Sequence, residues 1–381
     1  MAYGPPKKQD LGLSLVRLGS ALVGTGLLLS LWASPNRLAS LPWFLVGAVG
    51  VTLVLVLAGP LLPRLRRTLK VEHLVWFFLG TAFVSLVVTL LTSRWPAYKL
   101  SWLNQVYAAL PSIRSLPWEW VQPGLSPNQT GGMLAICTAF SSTVAVAPGI
   151  AKRQRVPAIV LAVAGVTGVY ITGSRAALAG LAIALLCLGI VLAWRWLWIW
   201  GPALLLTILG FLASGTVQRV VTFFVHDETL DTKLVARLDI WTSAANGIQD
   251  HFFSGIGLGV FNEVMPVRYP YQTVGLSYPV SQAHNLFLDI ALAIGVPGAI
   301  GFVVLMAGLL LLCARGVRRN KGSQVVFLGI LASILVYLVF GITDSISLSI
   351  PTSFIVWLWA CALCLIPVAE TNEQSVSTCH G

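Results

Sequence analysis

The chain has 381 residues, of which 57% are hydrophobic and only 10% are charged. Soluble domains carry about 25% charged residues, so this composition excludes an ordinary soluble protein and indicates an integral membrane protein. The net charge of +11 does not indicate a nucleic-acid-binding protein, because the basic residues lie in the gaps between apolar runs, where membrane topology requires them.

Ten apolar runs are long enough to cross a bilayer, which takes about 20 residues of helix. We therefore predict an all-α integral membrane protein with about ten transmembrane helices, in which residues 1–381 form a single polytopic membrane domain. The predicted spans are 12–32, 41–62, 72–92, 129–150, 156–173, 176–194, 196–214, 285–312, 324–342 and 351–368.

The distribution of basic residues predicts the orientation of these spans. With the N-terminus inside, the inner segments hold 15 of the 24 Lys and Arg residues, and the inner loops are short and dense in charge. Most of the other basic residues lie in two long outer segments, where the positive-inside rule has least weight. We therefore predict cytoplasmic termini and long periplasmic segments at Ser93–Pro127 and Gly215–Ala283. The second, residues 215–283, is the largest part of the chain outside the membrane.

Arg175 follows Gly173 and Ser174 between two apolar runs, with almost no loop to separate them. An ionisable side chain at a membrane edge is a functional candidate by default. The alternative is an arginine whose side chain extends to the lipid headgroups. We favour the functional interpretation, because the two small residues leave little length for the side chain to reach the headgroups.

Residues 233–250 of the second outer segment predict an amphipathic helix, since five apolar residues recur at intervals of four and three. Arg237 lies about 60° from the centre of this stripe at ~100° per residue, so it borders the predicted buried face and is a second candidate site residue. The predicted stripe consists of Leu234, Leu238, Trp241, Ala245 and Ile248.

Glycines at alternate positions follow this helix, in the sequence HFFSGIGLGVFN. They resemble a nucleotide-binding loop, but a strand has to precede such a loop and none is predicted here. We therefore predict a tight turn that packs closely against its neighbours.

His284 and Asn285 begin the eighth apolar run, at its predicted outer edge. Histidine side chains in general titrate near pH 6.5, which suits a general base at neutral pH. Asn285 and Asp289 are four residues apart, so they share a helix face and have the spacing for a hydrogen bond. The alternative is a structural role, with Asn285 as an N-cap and His284 at the membrane interface.

Asp344 lies at another predicted outer edge, before the tenth run, where it is either an acid of the site or a cap of the last helix. Asn128 is interpreted as a helix cap rather than a glycan acceptor. Cys361 and Cys364 have the spacing of half a zinc site, but no second pair and no nearby histidine accompany them. No metal site is therefore predicted.

Three stretches together resemble the O-antigen ligase and polymerase superfamily. His284-Asn285, followed after nine residues by Gly295-Val296-Pro297-Gly298, is similar to its His-Asn…Gly-x-x-Gly signature. Residues 173–178, GSRAAL, resemble its Ser-Arg element, and residues 236–262 resemble the segment between the two motifs. The similar region runs roughly from 156 to 312, which is less than half of the chain.

The resemblance implies a multi-helix glycosyltransferase of the GT-C type, which transfers a glycan from undecaprenyl diphosphate to an acceptor sugar without a metal or another cofactor. By motif match, Arg175 and Arg237 hold the diphosphate, and His284 deprotonates or orients the acceptor hydroxyl group. Asn285 and Asp344 are expected to contribute to substrate binding, the latter by position only. The implied acceptor is lipid A–core or another glycan, as in lipopolysaccharide biosynthesis. The implied location is the periplasmic face of the bacterial inner membrane.

Three other functions are weighed against a ligase. A polymerase adds repeat units to a second lipid-linked chain, and the sequence does not separate it from a ligase. A transporter of a small anion such as bicarbonate also uses arginines, but it places them near the membrane midplane, often on broken helices in repeated halves. A non-catalytic scaffold for envelope assembly leaves the arginines and the histidine dispensable. The candidate residues lie at the predicted outer edge and no repeat is evident, so an enzyme is favoured.

Overall fold

The computed structural model describes residues 10–59, 70–93, 95, 104–110, 125–192, 228–273, 280–349 and 353–366. These residues form helices and turns without a strand, apart from an isolated bridge between Ser93 and Leu125. The predicted all-α fold class is thus confirmed. The helices are α1 (Leu11–Ala33), α2 (Arg37–Ala58), α3 (Val71–Thr92), α4 (Asn104–Ala109), α5 (Pro127–Val146), α6 (Lys152–Ile171), α7 (Arg175–Leu192), α8 (Glu228–Asp250), α9 (Phe261–Arg268), α10 (Leu286–Arg319), α11 (Gln324–Thr343) and α12 (Phe354–Leu365).

Seven of these helices are long and apolar enough to cross a membrane, which makes this a multi-pass membrane protein. They coincide with seven of the ten predicted spans and are α1, α2, α3, α6, α7, α10 and α11. The predicted span 129–150 forms α5, whose side chains are mostly buried by other helices and so need not be as apolar as a lipid-facing surface. The predicted span 351–368 forms the shorter α12. The span 196–214 lies outside the described residues, so the number of ten stays a prediction.

α1 and α10 pack along their lengths, and small residues permit their close approach. A Cβ atom on Gly19 would lie 2.4 Å from the backbone nitrogen of Leu305, and one on Gly308 would lie 2.8 Å from that of Val16. Van der Waals contact of this kind is a main source of helix association in lipid, where the hydrophobic effect between helices is absent. The close packing therefore fixes α10 against α1.

α10 changes direction at Gly295, where the backbone leaves the helical conformation at φ 76° and ψ 165°. Such a break removes helical partners from nearby backbone groups, and the segment after α8 replaces them. The amide of Val296 donates to the carbonyl oxygen of Phe252, and the amide of Ile256 donates to that of Leu292, each over 2.8 Å. The part of α10 before Gly295 is therefore fastened to the loop that follows α8.

The three alternating glycines of this loop, Gly255, Gly257 and Gly259, all have positive φ. They also approach their neighbours closely: a Cβ atom on Gly257 would lie 2.6 Å from the hydroxyl oxygen of Ser34, and one on Gly259 would lie 2.5 Å from the Trp43 ring. The prediction of a tight, closely packed turn is confirmed.

The buried face of α8 differs from the predicted stripe, which is therefore wrong. Leu234 and Leu238 are 55% and 50% exposed, whereas the buried positions lie on the adjacent face of the helix and include small and polar residues. Small side chains let α8 approach the part of α10 before Gly295, where a Cβ atom on Gly247 would lie 2.9 Å from Leu292. The residues of the buried face are Ile240, Ser243, Ala244 and Gly247.

Candidate active site

The start of α10 and the end of α11 meet at the predicted outer edge of the bundle. Asn285 is the N-cap of α10: its Oδ1 accepts hydrogen bonds from the amides of Phe287 and Leu288, over 3.0 and 3.1 Å. Its Nδ2 also donates to the carbonyl oxygen of Ile342 in α11, over 3.0 Å. Asn285 thus has the structural role that the sequence allowed, and it does not hydrogen-bond to Asp289 as its spacing suggested, because both of its polar atoms serve the backbone.

His284 precedes this cap with a backbone φ of 52°, in the left-handed region that favours glycine. Its Nδ1 lies 3.3 Å from Oδ1 of Asp344, and its side chain is 31% exposed, whereas that of Asp344 is 1% exposed. One edge of the imidazole ring therefore faces a buried carboxylate, and the ring itself stays accessible from outside the protein.

The carboxylate of Asp344 is surrounded by hydrogen-bond donors. Oδ2 accepts from Nδ2 of Asn128 over 2.7 Å, and Oδ1 accepts from Nε2 of Gln282 over 2.8 Å and from the amide of Ser345 over 2.9 Å. Burial alone raises the pKa of this carboxyl group. The hydrogen bond and the charge of His284, together with the Ser345 amide and the Asn128 side chain, outweigh burial and hold the pKa below its ordinary value. Asp344 is therefore ionised at neutral pH.

An ionised acceptor beside Nδ1 determines which imidazole nitrogen carries the proton. A neutral ring donates Nδ1–H to Asp344 and leaves the lone pair of Nε2 for another proton. Nε2 of Gln282 lies 3.4 Å from the same Nδ1, but its shorter contact of 2.8 Å is with the carboxylate, so Gln282 acts as a donor to Asp344. The pair has the arrangement in which an aspartate orients a catalytic histidine.

Arg175 begins α7 after the short turn predicted from Gly173 and Ser174, and its side chain is exposed. This turn packs against the start of α5, where a Cβ atom on Gly131 would lie 3.0 Å from Cβ of Ser174. Asn128, which donates to Asp344, lies one helical turn earlier in α5. These contacts place the helix start that carries Arg175 at the same end of the bundle as the His284–Asp344 pair.

Arg237 is half-buried in α8, one helical turn before Trp241. The indole Nε1 of Trp241 donates to the carbonyl oxygen of Ala283, the residue before His284, over 2.8 Å. α8 therefore brings the helical turn that carries Arg237 close to Ala283, the residue before His284.

The sequence does not predict the roles of two residues in this cluster. Asn128 is not the helix cap that the sequence predicts, because Ser126 is the N-cap of α5 and the Asn128 side chain donates to Asp344. Gln282 joins Asp344 to Gln129, whose Nε2 donates to Oε1 of Gln282 over 3.2 Å. The available signal was the placement of polar residues at the start of α5 and directly before the His-Asn motif.

Among the described residues, no three His, Cys, Asp or Glu side chains lie close enough together to hold a metal ion. Cys361 and Cys364 lie in α12, half-buried and buried respectively, without a disulfide bond. The chemistry of the candidate site is that of an oriented imidazole, a carboxylate, amides and arginines.

Residues 158–303 match the family model described as O-antigen ligase. This match covers less than half of the chain and supports its similarity to the O-antigen ligase and polymerase superfamily. Members of the O-antigen ligase family are membrane glycosyltransferases or ligases, which indicates the same class of activity for this chain. The matched segment contains Arg175, Arg237 and His284, whereas Asp344 lies beyond its end. The comparison with curated proteins gives no match to this chain.

Proposed function

We propose that this O-antigen ligase relative transfers a glycan from undecaprenyl diphosphate to a hydroxyl group of an acceptor sugar, at the periplasmic face of the bacterial inner membrane. The observation that carries the proposal is the accessible imidazole of His284 against the buried, ionised carboxylate of Asp344. A ligase and a polymerase share this chemistry. They differ in the acceptor, which is lipid A–core or another glycan for a ligase and a second lipid-linked glycan for a polymerase.

In the proposed step, Nε2 of His284 accepts the proton of the acceptor hydroxyl group while the oxygen attacks the anomeric carbon of the donor. The bond between that carbon and the diphosphate oxygen breaks, and undecaprenyl diphosphate leaves with the electron pair. Asp344 stabilises the imidazolium ion that forms and holds its orientation. The step needs no change of oxidation state and no further reactant.

Arg175 and Arg237 are the proposed ligands of the diphosphate. A guanidinium group stays charged at all physiological pH values and donates two parallel hydrogen bonds to phosphate oxygens. The bond to the leaving group places negative charge on these oxygens as it breaks, so two fixed arginines stabilise the transition state more than the ground state. Their proposed position at the edge of the membrane leaves the apolar prenyl chain of the donor in the lipid.

Replacing either arginine by lysine should cripple transfer, because lysine keeps the positive charge but loses the planar fork. We expect Arg175→Lys and Arg237→Lys each to lower the rate by a factor of about 10²–10³, the usual loss for one strong transition-state donor. The measurement is the release of undecaprenyl diphosphate from the host's own lipid-linked glycans in isolated membranes, by mass spectrometry.

Arg268→Lys is the matched control, since Arg268 is an exposed arginine at the end of α9 in the same outer segment. It should leave the rate unchanged. Normal rates for both Arg175→Lys and Arg237→Lys, at normal expression, would exclude bidentate diphosphate binding as their role.

The proposal also requires that the cluster face the periplasm, with both termini in the cytoplasm and residues 215–283 as a periplasmic part of a single membrane domain. Its support is the charge distribution of the loops. Gln249 in α8 and Lys321 after α10 are both exposed, so a cysteine at either position is open to reagents. In a variant without native cysteines, a membrane-impermeant maleimide should label Gln249→Cys in intact cells and Lys321→Cys only after permeabilisation. The reverse result would place the site in the cytoplasm.

A further inference from the structure

The residue before the candidate base is held on both sides by side chains. Trp241 of α8 donates its indole N–H to the carbonyl oxygen of Ala283, and Asp289 of α10 accepts the amide N–H of Ala283 at its Oδ1, over 2.8 and 2.6 Å. Ala283 itself is fully buried. We call Trp241 and Asp289 the Ala283 clamp.

This clamp acts immediately before a strained residue. His284 has a φ of 52°, and among the described residues it is the only non-glycine with positive φ. A histidine in this conformation carries a cost in free energy that the surrounding structure has to offset, and such strain is concentrated at functional sites. On the other side of His284, Asn285 is itself fixed, because its side chain caps α10 and donates a hydrogen bond to the carbonyl oxygen of Ile342. The backbone of His284 therefore has little freedom to relax.

Asp289 places a polar side chain at a depth where burial of such groups is unfavourable. Asp289 is 5% exposed and lies one turn inside a membrane-spanning helix, where ionisable groups are rare and are usually functional. What the contact with Ala283 requires is an accepting oxygen at this depth. Such a buried acceptor is accounted for if the orientation of the neighbouring ring matters to the reaction.

We propose that the Ala283 clamp is a positioning device for His284: Asp289 and Trp241 hold the Ala283 peptide groups so that the left-handed backbone of His284 directs the ring at Asp344. This inference rests on the proposed function, in which His284 is the base. Trp241 lies one turn from Arg237, so the clamp also sets the position of the base relative to one of the proposed diphosphate ligands.

The test compares Asp289→Leu, which removes the acceptor, with Asp289→Asn, which keeps an oxygen for the Ala283 amide at nearly the same volume. Misplacing a catalytic group by about 1 Å costs on the order of 10² in rate. We expect that loss in Asp289→Leu, in kcat rather than in KM for the lipid-linked donor, and near-normal turnover in Asp289→Asn. Trp241→Phe removes the indole N–H and keeps most of the ring, and should also lower kcat, whereas the exposed Trp32→Phe should not.

A double-mutant cycle separates positioning from general stability. If the clamp acts through His284, then adding Asp289→Leu or Trp241→Phe to His284→Ala should lower the residual rate no further. Additive losses, or the same loss in Asp289→Asn as in Asp289→Leu, would overturn the proposal. Should Asp289→Leu fail to fold, the Trp241→Phe cycle decides the question alone. A fully active His284→Ala would instead contradict the proposed function, so the two failures are distinguishable.

Discussion

Replacing His284 by alanine is expected to lower the transfer rate by a factor of about 10²–10⁴, the range that general acid–base catalysis contributes. The variant should still bind undecaprenyl diphosphate, because the two proposed arginine ligands remain. His284→Gln should be similarly slow, since an amide can hydrogen-bond but cannot accept a proton from the acceptor hydroxyl group at neutral pH. The measurements are the release of undecaprenyl diphosphate from the host's lipid-linked glycans and equilibrium binding of undecaprenyl diphosphate itself.

The two measurements together decide what His284 does. Loss of transfer with normal binding supports a base or an orienting acceptor for the incoming hydroxyl group. Loss of both would make His284 a binding residue for the donor. Full activity in both variants would leave His284 with only a structural role at the start of α10, and would favour a scaffold or a transporter over an enzyme.

The sequence predicts most of the helices because the requirement for long apolar runs leaves few alternatives in a membrane. It also predicts the turn before Arg175 and the cap of α10, since both depend on residues that are adjacent in the chain. The kink at Gly295 is not among the predictions, although a glycine two residues before Pro297 is a local signal for it. Local chemistry determines the turn and the cap, and a single sequence is enough to find them.

The partners of Asp344 could not be predicted, because the contacts join distant parts of the chain. Asn128 and Asp344 are 216 residues apart, and Gln282 and Asp344 are 62 apart. A position at a helix end suggested Asp344, but only the folded structure shows that α5 and the segment before α10 bring Asn128, Gln282 and His284 to its carboxylate. Long-range hydrogen bonds between side chains leave no periodic pattern in the sequence.

The face of α8 was predicted wrongly for a different physical reason. Apolar periodicity identifies a buried face where the alternative is water. Near a membrane the alternative is partly lipid, so Leu234 and Leu238 can be exposed on the protein while small residues such as Gly247 make the contact with α10. Residue size, rather than hydrophobicity, decides which face packs against the protein.

The ionised state of Asp344 also predicts a dependence of stability on pH. A group whose pKa is held below its ordinary value in the folded state stabilises the fold at pH values above its unfolded pKa. That contribution is lost as the pH falls through the pKa of the folded state. The purified protein should therefore lose thermal stability on the acid side of the ordinary aspartate pKa of 3.8. Asp344→Asn has no such charge to lose, so this part of the pH dependence should be absent from it.

Asp344→Asn should also abolish most of the transfer activity, although it barely changes the shape of the side chain. The amide oxygen can take the place of Oδ1 and still accept from Gln282 and the Ser345 amide, but the negative charge that stabilises the imidazolium ion of His284 is gone. The same change in a Ser-His-Asp triad lowers kcat about 10⁴-fold, so we expect a loss on the order of 10²–10⁴.

A second variant distinguishes this loss from simple destabilisation. In Asp344→Asn the new amide donor meets the Asn128 amide across the former 2.7 Å contact, and in Asn128→Asp/Asp344→Asn the carboxylate at position 128 accepts that donor again. The double variant should therefore recover much of the melting temperature lost in Asp344→Asn. It should not recover transfer, because the negative charge then lies on residue 128, and residue 344 separates it from the His284 ring. If activity and melting temperature return together, Asp344 serves the fold rather than the imidazole, and the base at position 284 needs no charged partner.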